Sequence, residues 1–173
     1  ILVINGSASK KSSNSIIIKE VKELCKGSLS FTVFEGLKSL PHFDTDFTIH
    51  NVPQEVVEFR TLVEKADGVI ICTPEYVFSI PSGLKNAIEW CVSTTIFSKK
   101  KMGLITAAAN GVKGHEELKL ITKTLAANFI GKATLLIQGV RGKVEGHKVC
   151  HMGTKEQLKE FTESYIKLLS NEL

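Results

Sequence analysis

Short apolar runs that stop abruptly alternate along this chain with segments whose apolar residues recur every third or fourth position. Residues 1–5 (ILVIN) are a run that stops at Gly6, the pattern of a strand buried on both faces. Over residues 15–25, Ile17, Val21 and Leu24 recur at helical spacing, with Gly27 to close the helix. FTVF (31–34) is aromatic and β-branched, so it reads as a second strand. Residues 53–66 place Val56, Phe59 and Val63 on one helical face, with Pro53 suited to a first turn. The alternation then continues as strand 68–73, helix 82–93 with Leu84, Ala87, Ile88 and Cys91 inward, and strand 102–107. It ends with helix 116–129 through Leu118, Ile121 and Leu125, strand 133–138, and helix 154–169 through Leu158, Phe161, Tyr165 and Leu168.

Five strands alternating with five helices require crossover connections, because parallel neighbours cannot be joined by tight hairpins. The expected fold is therefore α/β: a three-layer, doubly wound, flavodoxin-like parallel sheet in the order 2-1-3-4-5, formed by one domain spanning residues 1–173. That order has a switch point between the first and third strands, where a crevice opens at the carboxyl ends. The loops expected at its rim follow strands one, three and four: NGSASKKSSNS, TPEYVFSIPSG and AAANGVKGH. Residues 41–52 read as a longer polar connection.

Composition narrows the partners. The 22 Lys and Arg against 18 Asp and Glu leave a formal charge of +4, spread along the chain rather than striped, so nucleic acid is not the expected partner. Lys99, Lys100 and Lys101 form one tight basic run, read as a solvated connection before a strand. Asn5 and Gly6 interrupt the first apolar run too soon for a signal peptide or a spanning helix, so no membrane association is expected. The absent start methionine points to the loss of a residue or two. Cys25, Cys72, Cys91 and Cys150 are scattered and a core of this size needs no staples, which implies reduced thiols and a cytoplasmic location. HKVCH (147–151) offers at most three metal ligands at a spacing that matches neither zinc nor haem, so no metal site is assigned and these are read as surface histidines.

The first rim loop follows a strand and opens a helix, where backbone N–H groups and the positive helix end gather anions. Ser7, Ser9, Ser12 and Ser13 add hydroxyls, and Lys10 and Lys11 add charge. The loop lacks the spacing of a P-loop, and Gly6 has no glycine partners two and five residues on, so a mononucleotide phosphate fits it better than NAD or ATP. A serine-rich turn that only caps a helix fits the same residues equally well. In the second loop Glu75 to Ile80 lie between Pro74 and Pro81, a restrained backbone that can offer N–H groups to ring heteroatoms beside Tyr76 and Phe78. Burial of both aromatics in the core is the competing reading. The small residues from Ala107 to Ala109, with Gly111 and Gly114, admit a flat ring or simply pack tightly.

Taken together, these stretches resemble the NADPH-dependent FMN reductases, the family that includes quinone- and chromate-reducing flavoproteins. Its signature runs roughly Pro-Glu-Tyr-Asn-x-Ser-x-Pro-Gly-x-Leu-Lys-Asn-Ala-Ile-Asp-Trp, and this chain has PEYVFSIPSGLKNAIEW at that spacing. GSASKKSSN looks like the family's phosphate loop, LPHFDTD like its Leu-Pro-x-Phe-Asp connection, and KADGVIICTPEY like its third strand. The resemblance implies phosphate contacts at Ser7, Ser12 and Asn14, and flavin-ring contacts at Pro74, Glu75, Tyr76 and Val77, mostly through backbone. Ala107, Ala109 and Gly111 would edge the ring.

The resemblance further implies hydride transfer from NADPH or NADH through bound FMN to a quinone, azo compound, metal oxyanion or free flavin, with no catalytic side chain and with Glu75 as a positional residue. It implies a homodimer or homotetramer as well. The alternative is a flavodoxin-like electron carrier without NAD(P)H activity; such carriers are acidic, whereas this chain is basic. Ser9 stands where the family usually has arginine, which would remove a contact of about 1.5 to 3 kcal/mol and weaken FMN roughly ten- to a hundredfold unless Lys10 or Lys11 compensates. Val77 replaces asparagine, Ser82 and Gly83 shift the loop glycine by one place, and Ala107 and Ala109 replace frequent serines.

Overall fold

A computed structural model describes residues 1–7, 9 and 12–171. Five parallel strands form one sheet in the order β2-β1-β3-β4-β5: β1 Leu2–Asn5, β2 Thr32–Phe34, β3 Gly68–Thr73, β4 Lys101–Ala108 and β5 Thr134–Gln138. This is the expected flavodoxin-like order. The switch point falls where β1 pairs with β2 on one side and with β3 on the other, with Asn5 beside Cys72 at the carboxyl end.

The strands are apolar at nearly every position because helices cover both faces. Leu2, Ile4, Val69, Ile71, Met102 and Leu104 join one core with Val56, Phe59 and Val63 of α2 (Gln54–Lys65), Leu84, Ala87 and Ile88 of α3 (Ser82–Glu89) and Leu118 of α4 (Val112–Thr124). The alternate positions Val3, Ile70, Cys72, Ile105 and Ala107 join the other, with Ile17, Ile18 and Val21 of α1 (Ser13–Leu24) and Leu158, Phe161, Tyr165 and Leu168 of α5 (Met152–Ser170). The period of two along each strand thus sorts side chains into two cores.

The helix boundaries depart from the sequence pattern in ways that matter at the rim. Helix α1 begins at Ser13 rather than residue 15, because Ser12 caps it: its hydroxyl accepts from the Ser15 amide at 3.1 Å. Leu24, read as inward, is 39% exposed, and Cys25 takes the buried position instead. Helix α3 ends at Glu89 although its apolar face continues to Cys91. The guanidinium of Arg60 donates to the Trp90 carbonyl there and satisfies a helix-end acceptor. Helix α4 spans Val112–Thr124, not 116–129, so Gly114 and His115 lie in its first turn instead of in a loop.

Two features were not expected. A two-stranded antiparallel ribbon, β6 (Val144–Glu145) with β7 (Lys148–Val149), occupies part of the segment read as free surface; His151 beyond it caps α5 by accepting from the Thr154 amide at 3.1 Å. The basic run is also more than solvated linker, since Lys100 donates to the Glu64 and Ala66 carbonyls at the end of α2. Cys25, Cys72 and Cys91 are buried free thiols and Cys150 an exposed one. Among the described residues no helix is long and apolar enough to cross a membrane.

Candidate functional site

The first rim loop is shaped by its own side chains. Gly6 donates to the Cys72 carbonyl at 2.8 Å, which extends the β1–β3 ladder by one residue. A Cβ at Gly6 would lie 2.4 Å from Thr73 Oγ1, so the close approach of the two strand ends requires glycine. The Asn5 carboxamide accepts from the Ser7 amide at 3.1 Å and donates to Ser15 Oγ at 3.2 Å, holding the loop against the start of α1. Ser7 Oγ accepts in turn from the Ser9 amide at 3.3 Å.

Asn14 is buried, and both ends of its carboxamide are hydrogen-bonded. Its carboxamide donates to the Ala107 carbonyl at 3.2 Å and accepts from the Cys72 thiol at 3.3 Å. Burial pushes that thiol's pKa up, so Cys72 remains a donor. Asn14 therefore pins the loop to β3 and β4, and its backbone N–H faces the helix mouth. The first amides of a helix have no intrahelical acceptor; Ser15's is taken by Ser12, which leaves those of Ser13 and Asn14 at the helix mouth.

The loop after β3 is a two-residue hairpin. Tyr76 and Ser79 exchange both backbone hydrogen bonds, at 2.9 and 3.1 Å, with Val77 and Phe78 at the turn. Both turn residues have positive φ, 52° and 60°, the backbone of a type I′ turn, which asparagine and glycine adopt far more readily than valine. Neither aromatic folds back into the core: Tyr76 and Phe78 are exposed, as is Val77.

Two carboxylates tie this hairpin to α4. Glu75 accepts from the Gly111 amide at 3.0 Å and from the Gly114 amide at 2.7 Å, capping α4 from outside the helix. Glu117 accepts from Ser79 Oγ at 2.7 Å and from the Ile80 amide at 2.8 Å. Behind them His115, buried in the first turn of α4, pairs through Nδ1 with Thr106 Oγ1 at 3.0 Å. Burial and Lys119 push its pKa down to about 4 against the opposing pull of Glu116, so the ring is neutral.

Between the loops lies a crevice of about 460 Å³, within the range of small-molecule sites. Ser7, Ser9, Ser12, Ser13 and Asn14 line one part, Pro74, Glu75 and Tyr76 another, and Ala107 and Ala109 a third. Two residues named from the sequence do not line it: Val77 stands outward at the hairpin tip, and Gly111, with φ of 87°, is bound to Glu75. Lys10 and Lys11 lie outside the described residues.

Val140 and Arg141 line the crevice and are not marked by the sequence pattern, which points only to the loops after strands one, three and four. They follow β5, whose carboxyl end opens on the same rim; Gly139, with φ of 60°, donates to the Ala109 carbonyl at 3.0 Å and turns the chain inward. Glu117 is likewise unmarked, for it sits on a helix face that periodicity shows only as polar.

The donor set fits an aromatic mononucleotide. Hydroxyls and helix amides suit a phosphate, and small or apolar walls suit a flat ring. The electrostatics also separate two helix mouths, since the α4 N-terminus is already neutralised by Glu75 while the first turn of α1 contains no acidic side chain of its own.

Comparison with known proteins agrees with that geometry. Residues 1–141 match the family model for NADPH-dependent FMN reductase. The NADH:(hydroxy)cinnamate reductase subunit CrdA of Vibrio ruber is 31% identical, over 98% of this chain and 90% of that protein. A quinone reductase of Escherichia coli is 26% identical, over 91% and 88% of the two chains. The structure of FerB, a flavoenzyme NAD(P)H:(acceptor) oxidoreductase from Paracoccus denitrificans, superposes with a TM-score of 0.87 at 23% identity, over 98% of this chain and 96% of that one.

Proposed function

The chain belongs to the NADPH-dependent FMN reductase family, and from that premise we propose how its own residues hold the cofactor and serve the reaction. It is an oxidoreductase that uses FMN with NAD(P)H as co-substrate. The cofactor, when bound, supplies hydride chemistry between nicotinamide and acceptor. The family match favours this enzyme over an electron carrier without NAD(P)H activity.

The observation that carries the site assignment is the crevice itself, which brings the α1 mouth, the Pro74–Tyr76 backbone and the Ala107–Ala109 strand end together. Ser7, Ser9, Ser12 and Ser13, with the amides of Ser13 and Asn14, bind the phosphate. Pro74, Glu75 and Tyr76 support the ring through backbone and Tyr76's apolar surface, while Ala107 and Ala109 let its edge approach the chain closely. Glu75 acts by positioning: both its oxygens accept from α4 amides, so it holds the hairpin against that helix. No protein acid or nucleophile is assigned.

The acceptor class is a quinone, azo compound, metal oxyanion or free flavin, which an open rim with an exposed aromatic hairpin accommodates. The whole chain works as one domain. A homodimer or homotetramer is the proposed assembly, supported by the apolar hairpin tip, where Val77 is 94% and Phe78 71% exposed; light scattering tests it. A cytoplasmic location suits three buried free thiols.

Titration of flavin-free protein with FMN, followed by fluorescence quenching, tests the cofactor assignment. Saturation at about micromolar FMN or below is expected, followed by quinone-dependent NADPH oxidation. Absence of saturable binding would overturn it.

A further inference from the structure

A phosphate brought into a half-enclosed crevice needs a countercharge, because burial of an unpaired anion is costly. Helix amides and serine hydroxyls provide hydrogen bonds but only partial charge. Among the described residues that line the crevice, Arg141 is the one cation, opposed by the Glu75 carboxylate, which is already bound to α4.

Its placement relative to α1 narrows its role. The chain leaves β5 at Gln138, is turned by Gly139 against the Ala109 carbonyl, and passes Val140 and Arg141 into the crevice that Ser12 and Ser13 line. Beyond it, residues 144–147 form a second crevice with Ser12, Ser15, Ile16 and Lys19. Both ends of the segment therefore border Ser12, the cap of α1, and Arg141 enters the site beside the helix mouth. Val140 is 4% exposed, which anchors the backbone, while the Arg141 side chain is exposed and makes no hydrogen bond or ion pair with a described residue.

We infer that Arg141 is the cationic ligand of the FMN phosphate, a guanidinium delivered from the β5 end to the mouth of α1. The inference rests on the cofactor reading above and assigns it a residue that neither periodicity nor resemblance picks out. Arginine suits the task because its planar fork binds phosphate oxygens bidentately.

The test compares FMN with riboflavin, which has the same ring and no phosphate, in titrations of flavin-free wild-type protein, Arg141→Gln and Arg141→Lys. Arg141 is exposed, so the fold should be retained, and circular dichroism checks it. The expected result is a ten- to a hundredfold loss of FMN affinity in Arg141→Gln with riboflavin affinity unchanged and a shallower salt dependence, and a smaller loss in Arg141→Lys, which keeps the charge and with it the wild-type salt dependence. Unchanged FMN binding in Arg141→Gln, as when Lys10 or Lys11 supplies the charge, overturns the inference and leaves the cofactor reading intact, as does an equal loss for both flavins. A wild-type protein that binds neither flavin overturns both.

Discussion

The carboxylate of Glu75 accepts a 2.7 Å hydrogen bond from the amide of Gly114, thirty-nine residues further along the chain, and its second oxygen takes the Gly111 amide at 3.0 Å. One side chain from the β3 loop thus satisfies two of the orphan donors at the start of α4 and places a negative charge at the positive end of that helix. The loops after β3 and β4 are thereby locked together, and the crevice keeps its shape.

Glu75→Ala removes both bonds and the charge, and should lower the free energy of unfolding by about 2 to 3 kcal/mol. Glu75→Gln keeps one acceptor and should cost about 1 kcal/mol. Urea denaturation at neutral pH measures both, and FMN affinity should fall in the same order. Two variants equal to each other and to wild type would show that the carboxylate does not hold the loops.

Val77 and Phe78 carry φ values of 52° and 60° at the two central positions of the hairpin. A β-branched residue there meets its own backbone, at a cost of about 1 to 2 kcal/mol, and Val77, 94% exposed, gains no packing in return. Val77→Asn should therefore stabilise the fold by about 1 kcal/mol and raise Tm by about 2 to 4 °C. A lowered Tm would mean that the valine makes contacts in solution, as at a subunit interface, that outweigh the strain.

These two loops also show what the sequence can and cannot reveal. The strand order and both cores were legible because burial on both faces writes continuous apolar runs into β1, β3 and β4, and one-sided burial writes Val56, Phe59 and Val63 into α2. The start of α4 was not legible, because its cap is the remote Glu75; locally, Gly111 and Gly114 read as loop. The β6–β7 ribbon is two residues per strand, too short for a period to appear. Arg141 was invisible for a related reason, since its place in the crevice depends on the turn at Gly139 and its hydrogen bond to Ala109.

At the switch point, a methyl group on Gly6 would lie 2.4 Å from Thr73 Oγ1, 2.6 Å from its Cβ and 3.0 Å from its Cα. The last of these atoms is backbone, so β1 and β3 would have to part where Gly6 bonds Cys72. Gly6→Ala should destabilise the fold by about 1 to 3 kcal/mol and weaken FMN, because Ser7 follows directly. Adding Thr73→Ala should recover part of the stability by removing the hydroxyl, while the overlap with the Thr73 backbone persists. Full recovery in the double variant, measured by thermal unfolding, would place the whole effect on the side chain.

His115 links the site to pH. The residue is 7% exposed, its Nδ1 meets Thr106 Oγ1 at 3.0 Å, and burial, then Lys119, hold its pKa at about 4 against the pull of Glu116. An unfolded histidine titrates near 6.5, so between about pH 6.5 and pH 4 the unfolded chain takes up a proton that the folded chain refuses. Stability should therefore fall as pH drops through that window and level off below it, by about 1 to 3 kcal/mol in all. A cation in the first turn of α4 is also opposed by the helix dipole, in the same direction. His115→Asn keeps a polar partner for Thr106 and has no proton to gain, so subtracting its stability profile from that of wild type isolates this group from the carboxylates. The difference should be flat above pH 7 and change steadily between pH 6.5 and 4.5. A difference that stays constant across that range would show that His115 is not the group responsible.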